Sequence, residues 1–218
     1  MTDASTCTAL PPLTEEEFYS LPQSAQIVRL CQEVLTALDA EWLRAKGGRY
    51  FRSGRALDYL SDYTGSQADP QKTLRRFASA DEPCQACALG GLLLVKIRAF
   101  NRCKAAAVDL TQCPSAQRRL LVRNLADIVP PMLLARIECA FECRWPRSIQ
   151  LCTFSEQKSS PWAECVEAAD MFFRIYNAND RLRAIMRYVL HFQGEFPVPS
   201  ENETAEGVAE RISADYAA

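Results

Sequence analysis

The feature that most constrains this chain is the run CQACALGGLLLVKIRAF, residues 84–100, the longest nearly uncharged apolar stretch in the sequence. From 86 to 95 it is apolar all round, with no polar face. Such a segment predicts a helix buried on every side rather than along one stripe. It is too short to cross a bilayer. Gly90 and Gly91 sit side by side inside it. Each glycine costs a helix about 1 kcal/mol relative to alanine, so something must compensate. One compensation is close packing of neighbouring helices against the bare backbone. The other is a ligand lying on that backbone.

The rest of the chain reads as amphipathic helices arranged around this run. Thr14 opens a capping box with Glu17 three residues on, and Leu13 is placed to staple to Phe18. Pro22 suits the start of a second, longer helix. Its apolar residues Ile27, Cys31, Val34, Leu38 and Trp42 recur at spacings of three and four, and Gly47 and Gly48 are expected to end it. The segment RYFRSGR (49–55) reads as a basic, aromatic connection to two further helices ending before Pro83. Asp81 and Glu82 suit the positive end of the central helix. Pro130 and Pro131 must break the helix carrying Leu121, Leu125 and Ile128, and start another through Met132–Phe141. Ser160 and Pro161 begin a helix, 177–180 is a turn, and a last core helix carries Leu182, Ile185, Met186 and Val189.

No period-two strand pattern of useful length is legible. The expected fold is therefore all-α: a single-domain, irregular helical bundle around a buried central helix at about 84–100. The expected organisation is a flexible N-terminus at 1–13, a helical domain at 14–199 and an acidic, loose C-terminal tail at 200–218. With 218 residues, the chain can bury a sizeable core without disulfides or metals. A formal net charge of −2 gives no global attraction to nucleic acid or anionic membrane. The N-terminal residues lack a basic region followed by an apolar one, so a soluble, cytoplasmic protein is expected. In that compartment the ten cysteines read as reduced thiols, many of them acting as small hydrophobes.

Three groups of residues could carry chemistry. Cys84 and Cys87 have CxxC spacing at a helix N-terminus, where a thiol pKa can be lowered. A redox helix of that type also wants a preceding strand, and none is read here. With Cys139 and Cys143 the pair would instead make a four-thiolate zinc site. The favoured expectation is no cofactor and no metal, with zinc on those four cysteines as the alternative. The second group is basic: Arg49, Arg52 and Arg55, interleaved with Tyr50 and Phe51, and Arg75 with Arg76. That pattern can hold phosphates or stack bases. The third is the bare backbone at Gly90 and Gly91. His191 is the single histidine, near a helix end, and reads as a packed or capping residue. No phosphate loop, dinucleotide fingerprint, nucleophile elbow or metalloprotease string is present.

These readings rank three functions. The first is a non-enzymatic helical interaction or regulatory protein acting through a protein partner. The second is a nucleic-acid or phosphate-binding module using the arginines. The third is an enzyme with its site near Gly90 and Gly91.

Overall fold

A computed structural model describes residues 11, 13–48, 51–53, 83–100, 121–143 and 160–198. These residues are mostly helical. Helix α1 (Glu15–Ser20) starts with the expected capping box. The Glu17 backbone N–H donates to Thr14 Oγ1 at 3.2 Å, and the Thr14 N–H donates to Glu17 Oε2 at 2.7 Å. Those bonds hold the Glu17 carboxyl below its ordinary pKa, the Thr14 backbone N–H contributing most. Helix α2 (Gln23–Asp39) follows Pro22 and buries Ile27, Leu30, Cys31, Val34 and Leu38 along one side.

The expected end of this helix at Gly47 and Gly48 is corrected: α2 stops at Asp39. Glu41 adopts a left-handed conformation, φ 54°, and turns the chain. Trp42 thus leaves the helix, and Leu43–Ala45 form strand β1. Gly48, at φ 75°, lies in the link to strand β2 (Phe51–Ser53). The central run is corrected in the same way. Its first residues, Cys84–Ala86, are strand β3 rather than the first turn of a helix. β3 lies between the other two, parallel to β1 with Leu43 opposite Cys84, and antiparallel to β2 with Phe51 opposite Ala86. Three-residue strands are too short to show a period-two pattern, which is why they escape sequence reading.

Helix α3 (Ala88–Phe100) comes after Cys87. Every residue from 88 to 97 is buried, as the uniform apolarity up to Val95 requires, and Lys96 is buried with them. It packs against α2, β1, β3 and the next long helix. The chain is described again from residue 121. A helical turn at 121–125 buries Leu121 and Leu125. Pro130 and Pro131 then separate it from helix α4 (Pro131–Glu142), with proline in the first turn. α4 ends at Cys143, in the left-handed region with φ 48°.

Helices α5 (Ser160–Phe172) and α6 (Ala178–His191) complete the described elements. Asn177 caps α6 by accepting from the Asn179 and Asp180 N–H groups at 2.8 and 3.2 Å. After α6 the chain folds back through Gly194, φ 95°, where a Cβ would come within 2.8 Å of the Ser24 carbonyl oxygen. Phe196 is buried, and Tyr188 donates to the Pro197 carbonyl oxygen at 2.6 Å. The apolar cluster draws on every helix described and on β1 and β3, with Leu89, Leu92, Leu93 and Leu94 at its centre. No helix among the described residues is long and apolar enough to cross a membrane.

Candidate functional site

A cleft of about 330 Å³ opens between α2 and the last turns of α3. Arg29, Glu33, Thr36 and Ala37 recur at three- and four-residue spacings, so they share one face of α2, and Ala40, its C-cap, follows them. Val95, Arg98 and Ala99 likewise share one face of α3, and Leu13 and Trp42 are the other described residues of the lining. Arg29 is fully engaged on one edge: Nε and Nη2 donate to Glu33 Oε1 at 2.9 and 2.7 Å. Nη2 also donates to the Pro11 carbonyl oxygen at 2.8 Å, tying the N-terminal stretch to α2.

Arg98 behaves differently. Its guanidinium carbon lies 4.2 Å from the centre of the buried Trp42 ring, a cation–π stack. It sits in the last turn of α3, where a cation suits the negative end of the helix. The side chain is exposed, and among the described residues it forms neither a hydrogen bond nor an ion pair. The stack depends on the left-handed turn at Glu41. Without that turn Trp42 would continue the stripe of α2.

The described residues among those expected to act lie outside this lining. Gly91 faces packed side chains: a Cβ there would lie 3.2 Å from Leu43 Cδ2 and 3.9 Å from Leu182 Cδ2. Gly90 is buried beside it. Arg52 is in β2, paired with Gln85. Arg49, Arg55, Arg75 and Arg76 lie outside the described residues. Two other arginines serve the fold. Arg181 donates to the carbonyl oxygens of Ile175 and Phe141 at 2.7 and 2.8 Å. Arg183 donates to the Leu38 carbonyl oxygen at 3.1 Å and pairs with Asp39 at 3.0 Å, clasping α6 to the end of α2.

The CxxC pair does have a strand before its helix, contrary to the sequence reading, because β3 runs directly into α3 through Cys87. Burial nevertheless keeps both thiols protonated. It pushes Cys84 up to about 11. It raises Cys87 further, outweighing the Gly90 and Leu89 N–H groups that favour its thiolate. A protonated, buried thiol is a poor nucleophile. The alternative zinc set is not assembled. Cys84 and Cys87 belong to the main core, whereas Cys139 packs with Cys165 and Ala135 in a separate cluster. Among the described residues no three His, Cys, Asp or Glu side chains are placed to hold a metal ion. His191 is exposed, its ring edge-on to Phe192.

One polar group escapes the sequence reading. Lys96 lies on the buried part of α3 and is only 4% exposed. Its Nζ donates to the Asn124 carbonyl oxygen and to Asp127 Oδ1, both at 2.6 Å. The Tyr19 hydroxyl donates to Asp127 Oδ2 at 3.4 Å. Burial first, and Asp127 second, push that hydroxyl up to about 12. The available signal is the lone lysine inside an otherwise apolar run. It marks a buried ion pair that ties α3 to the 121–129 segment and α1.

No protein-family model matches this chain, and neither the curated proteins nor the solved structures contain a significant match to it.

Proposed function

We propose that this chain is an interaction protein, an irregular helical bundle around α3 that receives a protein partner in the cleft between α2 and α3. The observation that carries the proposal is Arg98, exposed, stacked on Trp42 and without an ion-pair partner among the described residues. Arginine and tryptophan are the side chains that most often dominate binding energy at protein interfaces. Packing over the Trp42 ring restricts the guanidinium before the partner arrives, which lowers the ordering cost of binding. Apolar walls beside a few charged groups are also the usual make-up of a recognition pocket.

The test is affinity capture with the full chain as bait, beside three variants. Arg98→Gln removes the charge, Ala99→Trp fills the cleft from an exposed helical position, and Arg187→Ala is a control on α6. A captured protein is identified by mass spectrometry and its binding remeasured with purified components. Binding should survive Arg187→Ala and be lost in both cleft variants. A partner held equally by the cleft variants would overturn the proposal. So would a bound nucleic acid released steeply by salt, which would instead favour the phosphate-binding alternative.

A further inference from the structure

We infer that the cleft recognises one carboxylate on an apolar stem: an acidic side chain of a peptide segment flanked by small apolar residues. The inference rests on the interaction reading above and specifies what the partner presents. Its first ground is charge. Among the described lining residues, Arg29 and Arg98 against Glu33 carry a single net positive charge. One carboxylate neutralises that charge. A phosphate dianion or a nucleic-acid backbone would bring additional negative charge towards Glu33, which opposes it.

The second ground is geometry. The Arg98 guanidinium carbon lies over the Trp42 ring at 4.2 Å, and its N–H donors make no hydrogen bond among the described residues. Those donors match the two oxygens of a carboxylate in a bidentate pair. Arg29 does not compete for the same group, since it is already committed to Glu33 and Pro11. The third ground is size and lining. About 330 Å³, walled by Leu13, Ala37, Val95 and Ala99, is at the small end of ligand pockets. It suits one or two side chains rather than a nucleotide cofactor.

The probes are labelled hexapeptides on an array, each with one central glutamate among leucine, valine and alanine residues. Each has a glutamine twin and a phosphoserine twin, and a labelled oligothymidylate is included. Binding of hits to the purified full chain is measured by fluorescence anisotropy. Glutamate peptides should bind at least about tenfold tighter than their glutamine twins, the scale of one lost charge-assisted pair. Arg98→Gln, with an unchanged circular dichroism spectrum, should erase that preference, and Ala99→Trp should abolish binding. Dependence on salt should be shallow, as for a single ion pair. Equal binding of the glutamine twins overturns the inference, as does tighter binding of the phosphoserine twins or of oligothymidylate. If the glutamate preference fails while partner capture still depends on Arg98 and Ala99, the carboxylate is wrong and the interaction reading stands. If capture is also indifferent to both variants, the two fall together.

Discussion

Gly91 gives the sharpest test of how the centre of this protein is packed. A Cβ at this position would sit 3.2 Å from Leu43 Cδ2, a few tenths of an ångström inside ordinary carbon contact. Leu43 is 1% exposed, so it has little room to retreat. Gly91→Ala gains about 1 kcal/mol of helix propensity. Crowding Leu43 takes back about 1–2 kcal/mol, so this variant should be neutral or slightly destabilised. Gly91→Leu adds three more carbons to space already held by Leu43 and Leu182, and should cost about 2–3 kcal/mol net. The assay is urea unfolding followed by far-UV circular dichroism, with an unchanged m-value as the check on two-state behaviour. A double-mutant cycle isolates the contact. Leu43→Ala alone should cost about 2–5 kcal/mol by leaving a cavity. In the Gly91→Leu background it should cost at least about 1 kcal/mol less, because the new side chain occupies that cavity. A Gly91→Leu protein as stable as its parent would refute the reasoning, and so would strict additivity with Leu43→Ala.

The remaining predictions use the same unfolding assay. Asp127→Ala should destabilise by about 2–4 kcal/mol because it removes the carboxylate that balances the buried Lys96 charge, whereas Lys96→Met should lie within about 1 kcal/mol of the parent or above it; equal effects would argue that the pair is not buried as described. Stability should fall as pH rises above about 9. There the unfolded Cys31 and Cys84 thiols ionise while burial keeps the folded ones protonated up to about 12 and about 11, so the unfolded state binds fewer protons. Cys31→Ala should flatten that decline, and an unchanged slope would refute the assignment. Glu41→Gly should be neutral or stabilising by up to about 1 kcal/mol, since it removes a Cβ from a left-handed residue. Gly194→Ala should do the reverse, costing at least about 1–3 kcal/mol against the Ser24 backbone. If both changes have the same sign, the backbone assignment at one of them is wrong.

The fold is legible where one physical signal acts over many residues. The all-round apolarity of 86–95 demands burial, and the three–four stripe of α2 demands one buried face. The Thr14 cap and the proline pair at 130–131 are legible because a capping side chain or a missing N–H acts on its immediate neighbours. The sheet is not. β1, β2 and β3 are three residues each, and β3 joins β1 across some forty residues of sequence, so no local pattern announces the pairing. Cys84 and Ala86 read as helical because small apolar residues suit either structure. The strand wins through the backbone bonds from the Cys84 N–H to the Trp42 carbonyl and from the Lys46 N–H to the Ala86 carbonyl, at 2.7 and 2.8 Å.

The cleft is illegible for a related reason. Trp42 looks like the next residue of an apolar helical stripe, and the sequence contains nothing that forbids continuing it. The left-handed turn at Glu41 is stabilised by the contacts of the strand after it, since leaving the helix there lets Leu43 reach Gly91 and lets β1 pair with β3. The same turn puts the indole beneath Arg98, fifty-six positions along the chain. The bare backbone at Gly91 and the cation on Trp42 are therefore linked. Glycine permits Leu43 to seat, a seated Leu43 fixes β1, and β1 begins one residue after the aromatic floor of the cleft. The glycine thus acts on the cleft through packing rather than by touching a ligand. A Gly91 variant that unseats Leu43 should loosen the Arg98 stack before it unfolds the core, which Trp42 fluorescence can follow once Trp145 and Trp162 are replaced.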